Sequence, residues 1–346
     1  DVYAWVKCTL GDLMDVTSVK RIQQSDWRNS GVPFYRARDI VAFAKNEIIS
    51  DPLFIDLARY EEYSIQSGKV ESGNLLVTGV GTIGIPYLVK GTSPLYFKDG
   101  NIIWFKNKKL DGKYLYYSFT ANSIQQFIHY SAGTGTVSTY TIDTGKKTPI
   151  FEPVIDEQYK IGTFFDKLDD LITVNERELN KLKDLKKSYL EKMFPKNGSD
   201  IPELRFPGYA DAWVKCELGD VVKKIKSYSL SRDVETDKHT GYKYIHYGDI
   251  HTNVAGYIDE ESILPNIKAD DFDILDAGDL IVADASEDYQ GIAKPAVLVV
   301  KPTSNVVAGL HTIALRPTHS NSIFLYYLLQ TDLFKQFGKK AGTGMK

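Results

Sequence analysis

The same set of short motifs occurs twice in the sequence, in the same order. AWVKCTLGD at residues 4–12 returns as AWVKCELGD at residues 212–220, an offset of 208. Repeats that keep their order and spacing indicate duplicated structural units, so the sequence predicts two domains of one fold, each about 135 residues long. The other matches have offsets of 205 to 210: residues 35–40 with 245–250, 72–77 with 277–282, 114–117 with 324–327, and 132–135 with 341–344.

A different kind of segment separates the two copies. From Asp156 to Phe194 the sequence has no proline and a single glycine, Gly162. Apolar residues recur there at a spacing of seven with Asn175 as the one polar member, which predicts a long helix with a coiled-coil seam whose register Asn175 fixes. At about 1.5 Å per residue such a helix is roughly 57 Å long, more than one turn of DNA. The predicted helix interface consists of Ile161, Phe164, Phe165, Leu168, Leu171, Ile172, Asn175, Leu179, Leu182, Leu185 and Tyr189.

Each copy mixes strand-like and helix-like segments. The sequence therefore predicts an α+β fold with two similar domains, each a small curved sheet with helices. We place them at residues 1–150 and 198–346, on either side of a spacer helix within residues 151–197. Strands are predicted at 75–78, 102–105, 280–283, 296–300 and 311–316, and amphipathic helices at 111–130 and 320–338.

The matching motifs lie on framework features, whereas the segments between them differ. VGTIGIP at residues 80–86 stands where the second copy has ADASEDYQGIAK at residues 283–294. A shared framework with divergent loops is typical of a binding module with two specificities, because a duplicated enzyme would repeat its chemistry. Two alternatives stay open: gene duplication followed by drift, and a duplicated scaffold that binds proteins rather than DNA.

The sequence does not contain the complete motifs of common enzymes. Gly79–Gly84 reads GxGxxG, but a dinucleotide site needs a helix at those glycines, and here Pro86 continues into a strand. A glycine hairpin that carries Thr82 towards a ligand is predicted instead. His246 and His251 lack zinc-ligand spacing and are predicted to flank a turn. We predict no catalytic residues, no metal site and no bound cofactor.

Charge and cysteine content constrain the partners and the cellular location that the sequence predicts. The net charge is −3, yet residues 1–150 carry 17 Lys and Arg against 14 Asp and Glu, whereas residues 201–346 carry 16 against 20. Charge alone therefore leaves nucleic-acid binding open. Cys8 and Cys216 occupy equivalent places in the two copies, so a reduced pair of strand or core residues and a cytoplasmic location are expected. No apolar run reaches the roughly 18 residues of a membrane span.

Several strings resemble one family. They are residues 5–12 (WVKCTLGD), 81–84 (GTIG), 132–136 (AGTGT), 152–158 (EPVIDEQ) with 161–170, and 206–213 (FPGYADAW). Together with two variable domains that each lead towards a long helix, they resemble the specificity subunits of type I restriction-modification systems. The resemblance covers essentially the whole chain.

This resemblance implies a non-catalytic subunit that binds double-stranded DNA. Each variable domain would be a target recognition domain for one half of a split site. The spacer helix would set the gap and dock two methyltransferase subunits that bring S-adenosylmethionine, while restriction subunits add ATP- and magnesium-dependent cleavage. The family pattern places a second spacer helix after residues 341–344, and the sequence does not contain it. We therefore expect the unpaired apolar stripe to cause self-association.

Candidate DNA contacts follow from base-reading chemistry. Arg36 and Arg38 are predicted as neighbours on one face of an extended stretch and as base contacts, because Arg is the commonest reader of guanine; a solvated strand face is the alternative. His246 and Tyr247 hold the corresponding place in the second domain. The other candidates for phosphate, hairpin or base contacts are Lys69, Thr82, Lys90, Thr134, Ser286, Gln290 and Thr343.

Overall fold

The computed structural model describes residues 5–132, 138–196, 198–252, 254–285 and 293–341, with the side chains of 337–341 excepted. Contacts divide the chain into two compact units, residues 1–177 and 178–346. Each unit combines small sheets with helices, so the predicted α+β class is confirmed.

In its described residues the first unit has ten strands and the start of the long helix α7. Its strands are β1 (Val6–Thr9), β2 (Asp15–Thr17), β3 (Trp27–Arg28), β4 (Val32–Tyr35), β5 (Leu53–Ile55), β6 (Leu75–Thr78), β7 (Pro86–Leu88), β8 (Tyr96–Phe97), β9 (Ile102–Lys106) and β10 (Pro149–Glu152). Its helices are α1 (Leu10–Leu13), α2 (Ala37–Ala44), α3 (Leu57–Ser67), α4 (Gly112–Thr120), α5 (Asn122–Ser131), α6 (Ile142–Lys147) and α7 (Ile155–Met193).

The central sheet of this unit has the strand order β2-β9-β6-β7 and is covered on both faces. Leu75 and Val77 of β6 face one core, which α4 and α5 complete. Leu76 and Trp104 face a second core, shared with the sheet β3-β5-β4-β8 and with helices α2 and α3. Because both faces are buried, β6 is apolar at three consecutive positions rather than alternating. A separate two-stranded sheet pairs β1 with β10.

One predicted helix is broken. Residues 111–130 were expected to form a single helix, but α4 ends at Thr120 and α5 begins at Asn122. Ala121 between them is extended, and the Gln125 side-chain amide donates to the carbonyl oxygen of Phe119 at 2.6 Å. That side chain satisfies a backbone acceptor at the helix end, which makes the break stable.

The second unit repeats this architecture. Its strands are β11 (Val222–Ile225), β12 (Glu235–Thr236), β13 (Tyr242–Ile245), β14 (Tyr257–Ile258), β15 (Asn266–Ile267), β16 (Leu280–Ala283), β17 (Pro295–Leu298), β18 (Asn305–Ala308) and β19 (Thr312–Pro317). Its helices are the end of α7, then α8 (Leu218–Val221), α9 (Tyr247–His251), α10 (Ser322–Leu329) and α11 (Asp332–Ala341). The predicted helix 320–338 is thus also divided in two.

The sheet orders confirm that the two copies share one fold. The larger sheet of the second unit runs β11-β19-β16-β17-β14, and the smaller runs β12-β15-β13-β18. Apart from the added edge strand β14, these orders match β2-β9-β6-β7 and β3-β5-β4-β8 strand for strand. Duplication is therefore visible in the topology as well as in the motifs.

Helix α7 confirms the predicted spacer. It is continuous over 39 residues, or about 58 Å. Within the first unit α4 packs on it through Lys113, whose Nζ lies 2.6 Å from Asp166, and Tyr117, whose hydroxyl donates to Asp169. Within the second unit the equivalent helix α10 contacts the end of α7, with Lys186 Nζ 5.3 Å from the ring centroid of Tyr327. The ring of Phe194, just after α7, stacks on that of Phe324 at 5.6 Å. The same helix of each repeat thus contacts α7.

The predicted interface stripe of α7 is mostly exposed. Its members from Phe164 to Tyr189 other than Asn175 leave between 38% and 58% of their surface open, whereas Ile161 packs on the core of the first unit. The Asn175 amide donates to the carbonyl oxygen of Leu171 in its own helix at 2.9 Å. In the described part of the chain, no helix is long and apolar enough to cross a membrane.

The two cysteines are free thiols in unlike settings. Cys8 lies half-buried in β1, as predicted. Cys216 is exposed and belongs to no strand, so the expectation of an equivalent strand or core position is wrong for the second copy. The physical reason is the absence of a strand partner for that segment within the described residues, since a strand needs a neighbour to satisfy its backbone groups.

Candidate nucleic-acid interface

In the first unit the glycine motif forms the predicted hairpin between β6 and β7. Two backbone hydrogen bonds close it, from Thr78 N to Ile85 O at 3.0 Å and from Gly84 N to Thr78 O at 2.8 Å. Gly84 has φ +78°, a conformation that favours glycine, and a side chain there would also meet Ile128. Thr78 Oγ1 donates to the carbonyl oxygen of Thr82 at 2.6 Å, which leaves Thr82 exposed at the tip.

The second unit closes the corresponding loop with the same pair of bonds. Ala283 N donates to Lys294 O at 3.0 Å, and Ala293 N donates to Ala283 O at 2.9 Å. Ala293 has φ +66°, the conformation that Gly84 adopts in the first unit. Five residues lie between the closing positions in the first unit and nine in the second. The closure is retained while the loop between its ends differs in length and sequence.

In each unit a third hydrogen bond holds the loop at the corresponding end of that unit's larger sheet. Gly79 N donates to Asn101 O at 2.8 Å in the first unit, and Asp284 N donates to His311 O at 3.1 Å in the second. Val80 also forms an isolated bridge with Thr139. The variable loop of each unit therefore emerges beside the turn that begins β9 or β19.

Arg36 and Arg38 lie at the start of a helix, so the expectation of an extended stretch on one face is wrong for these residues. Arg36 is the N-cap of α2, and Asp39 at the third helical position accepts hydrogen bonds from the backbone and guanidinium of Arg36. Capping by an acidic third residue favours the helix over a strand. Both arginines also pair with Asp51, whose pKa is lowered mainly by its hydrogen bond from Arg36.

The two arginines differ in accessibility. The Arg36 side chain is 13% exposed, whereas that of Arg38 is 60% exposed. Arg36 therefore neutralises the buried carboxylate of Asp39, and Arg38 presents its guanidinium to solvent beside the carboxylate of Asp51.

The second unit keeps the buried carboxylate and changes its partner. Asp249 caps α9 by accepting from the backbone of His246 at 2.9 Å. Its other oxygen accepts from Arg232 at 2.7 Å, and Arg232 also pairs with Glu235. The predicted turn between His246 and His251 is thus a helix. The position of Arg36 is consequently free to hold His246 in this unit.

An aromatic cluster surrounds Tyr247. Its ring centroid lies 4.4 Å from that of His246, 5.7 Å from that of His251 and 5.4 Å from that of His311. The pKa of His246 is lowered, chiefly because the ring is buried and secondarily because Arg232 is near. His251 Nε2 is 2.9 Å from the carbonyl oxygen of Ala285 in the variable loop. The cluster therefore supports the base of that loop.

The remaining candidates are dispersed. Lys69 follows α3 and pairs with Glu61, and Lys90 follows β7 and lies 3.7 Å from Asp166 of α7. Thr134, Ser286, Gln290 and Thr343 lie outside the described residues. Among the residues that the structure describes, no three His, Cys, Asp or Glu side chains are grouped so as to hold a metal ion.

Sequence reasoning missed Arg232 and the role of the two buried carboxylates. The signal was present, because Asp-Ile recurs at Asp39 and Asp249 although its neighbours differ. A repeated acid followed by a buried apolar residue is typical of a helix start. The arginine that pairs with it could not be found from spacing, since it is three residues away in one copy and 17 in the other.

The duplicated α+β fold with equivalent loop closures, divergent loops and a long helix defines a two-domain binding protein with a variable loop in each domain. The model of the type I restriction modification DNA specificity domain matches residues 4–184, and the chain belongs to this family. A putative type I restriction enzyme specificity subunit of Haemophilus influenzae is 32% identical over 167 residues, or 47% of this chain. The chain spans only 40% of the length of that relative.

Two solved structures support the fold. An S subunit of a type I restriction-modification system from M. genitalium superposes with a TM-score of 0.55 at 14% identity, covering 99% of this chain and 81% of the other. A structure from work on complex assembly and conformational transition of the type I R-M system gives 0.50 at 16% identity, covering 99% and 83%. At these identities the superpositions concern the fold alone.

Proposed function

We propose that the chain is the sequence-reading subunit of a type I restriction-modification complex, each copy reading one half of a bipartite DNA site. We place the target recognition domains at residues 1–150 and 198–346. One observation carries the proposal: both units close their loop with the same two hydrogen bonds, while the loops have five and nine residues. To read two different half-sites, the two domains need the same framework and loops of different sequence, which is what these hydrogen bonds and loops provide.

Within the first domain we assign direct base reading to Arg38 ahead of Arg36. The Arg38 guanidinium is largely exposed, so it can exchange Asp51 for a base edge at small cost. Arg36 would have to leave the buried carboxylate of Asp39, which is expensive in a site with little water. Thr82 at the hairpin tip, Lys69 and Lys90 remain proposed contacts with the DNA backbone or at the hairpin. In the second domain the base-reading place is proposed for His246 and Tyr247, and Tyr247 is preferred because His246 is buried.

Replacing Arg38 with Ala should relax recognition at one half-site and leave the other unchanged. The loss of one bidentate contact costs about 1–3 kcal/mol of discrimination. The measurement is the map of methylated positions after treatment of DNA with the assembled complex. As a matched control, Arg38→Lys keeps the positive charge but lacks the bidentate guanidinium. It should therefore retain affinity for DNA yet lose discrimination between bases at that half-site. Unaltered methylation specificity at both half-sites would refute the assignment.

The chemistry is proposed to lie in the partner subunits. Two methyltransferase subunits would dock on α7 and bring S-adenosylmethionine, and restriction subunits would bring ATP and magnesium. The exposed apolar stripe of α7 supports docking there, because soluble proteins rarely leave such a surface open. If the assembled complex failed to shift random duplex DNA in a gel, a protein-binding scaffold would be the better account.

Without partner subunits the chain should self-associate through α7. Association buries the stripe, so sedimentation velocity at micromolar concentration should show dimers or larger species. Leu179→Glu together with Leu182→Glu should shift the distribution to monomer, because both side chains are half exposed on the stripe. The control Glu176→Lys changes a charge on the same helix and should leave association intact. A monodisperse monomer of the unchanged chain would contradict the prediction.

A further inference from the structure

The connection between α2 and β5 carries the most exposed large hydrophobic side chain of the described residues. Ile48 leaves 95% of its surface open to solvent, whereas Ile49 beside it is partly buried. A single exposed apolar side chain is ordinary on a protein surface. Three further observations, on its backbone, its neighbours and its counterpart in the second unit, distinguish Ile48 from such a residue.

Hydrogen bonds fix the loop on both sides of Ile48. At the end of α2 Asn46 has φ +56°, a left-handed conformation that Asn tolerates, and Glu47 N donates back to a carbonyl oxygen of the helix at 2.9 Å. Three residues after Ile48, the carbonyl oxygen of Asp51 accepts from the Arg36 guanidinium at 2.7 Å. The backbone therefore follows a defined path between two anchors, and it directs Ile48 outwards.

The second anchor places Ile48 beside the arginine that is proposed to read bases. The carboxylate of Asp51 pairs with Arg38, whose side chain is 60% exposed. Because three residues span at most about 11 Å, Ile48 lies close to that ion pair. An exposed cation and an exposed aliphatic side chain thus stand together at the start of α2 and in the loop that follows it.

The second unit repeats this feature in the corresponding connection, from α9 to β15. Ile263 there leaves 85% of its surface open, and the next residue, Leu264, is buried. Ser262 fixes the preceding backbone, because its hydroxyl accepts from Asp259 N at 3.0 Å and donates to the Asp259 carboxylate at 2.8 Å. Both units therefore direct an aliphatic side chain outwards from the same connection, although the two connections differ in sequence and length.

Packing within the fold does not account for an aliphatic side chain that is open in both units, so its partner lies outside the chain. On the base edges of the major groove, the apolar group is the C5-methyl of thymine, and aliphatic side chains contact it. We propose that Ile48 reads a thymine in the half-site of the first domain by covering its C5-methyl group, close to the base that Arg38 reads. This inference rests on the proposed DNA-reading function and adds a base identity to it.

Deoxyuridine provides the test, since it pairs as thymidine does and lacks only the methyl group. The probe is the duplex that the assembled complex methylates, with each thymine replaced in turn. At one position of the half-site that depends on Arg38, the replacement should weaken binding about fourfold, the factor for one buried methyl group. The complex with Ile48→Ala should bind the thymine duplex more weakly by a similar factor, and it should bind the two duplexes equally.

Two controls separate base reading from other roles. Ile65→Ala removes a side chain of α3 that is 85% exposed, and it should leave the ratio of thymine to deoxyuridine affinity unchanged. Ile48→Ala should likewise keep this ratio at every position of the other half-site.

Three results would overturn the inference while sequence specificity itself persists. They are a half-site without thymine, a ratio that does not depend on Ile48, and a loss of complex assembly with Ile48→Ala at an unchanged ratio, which would assign the loop to a protein interface. Methylation by the unchanged complex without any sequence preference would instead refute the proposed function, and this inference with it.

Discussion

Asp249→Ala is expected to lower the free energy of unfolding of the second unit by about 2–3 kcal/mol. The carboxylate is almost fully buried, caps α9 through the backbone of His246 and pairs with Arg232 at 2.7 Å. Removing it leaves the buried N–H of His246 without an acceptor and takes from Arg232 one of its two carboxylate partners. Urea unfolding followed by hydrogen exchange in β13 and α9 measures the change for this unit.

The control for this prediction separates charge from capping. Asp249→Asn keeps an oxygen that can accept from His246 and removes the charge facing Arg232, which is itself 46% exposed and retains Glu235. The loss should then be smaller than for Ala. If Ala and Asn destabilised the unit equally, the cap would contribute nothing and the account of this carboxylate would be wrong.

Gly162→Ala should destabilise the first unit by about 1–2 kcal/mol, against the helix propensity scale. Propensity alone predicts a gain of up to about 1 kcal/mol. A methyl group at Gly162, however, would lie 2.7 Å from the Oδ1 of Asp111, the Cβ of Lys113 and the N of Tyr114. Those atoms belong to the N-cap and first turn of α4, which cannot move without losing the hydrogen bond from Tyr114 N to Asp111. Overpacking of this kind costs about 1–3 kcal/mol.

A second glycine supplies the matched control. Gly219 in α8 has nothing within 4 Å of the place where a Cβ would stand. Gly219→Ala should therefore follow propensity and leave the protein as stable or slightly more stable. Thermal or urea unfolding of both variants tests the prediction: the stability should fall for Gly162→Ala and should not fall for Gly219→Ala. Stabilisation by Gly162→Ala would mean that α4 and α7 are not in close contact in solution.

The sequence predicted the features that rest on periodicity and repetition. The recurring motifs predicted two domains of one fold, and the matching sheet orders confirm it. A run without proline predicted α7 to within one residue at each end. The pair Gly81 and Gly84, with Pro86 after it, predicted a hairpin rather than a nucleotide site, and both glycines have positive φ.

Features that depend on tertiary contacts could not be predicted in this way. The break at Ala121 relies on a hydrogen bond from Gln125, and nothing in the local sequence announces it. The helix at Arg36 was missed because alternating arginines resemble a strand face until Asp39 is recognised as a cap. Cys8 and Cys216 were both expected to be strand or core residues, and this is wrong for Cys216 because propensity alone does not specify a neighbouring strand.

The paired closures have an evolutionary consequence. Each variable loop is closed by hydrogen bonds to the last residue of a buried strand, Thr78 of β6 or Ala283 of β16, so its length can change without altering the core beneath. Growth from five to nine residues costs only about 0.5 kcal/mol in closure entropy. Small insertions or deletions in this loop could therefore change the target sequence. Such changes should be tolerated at once, because they scarcely alter the free energy of folding.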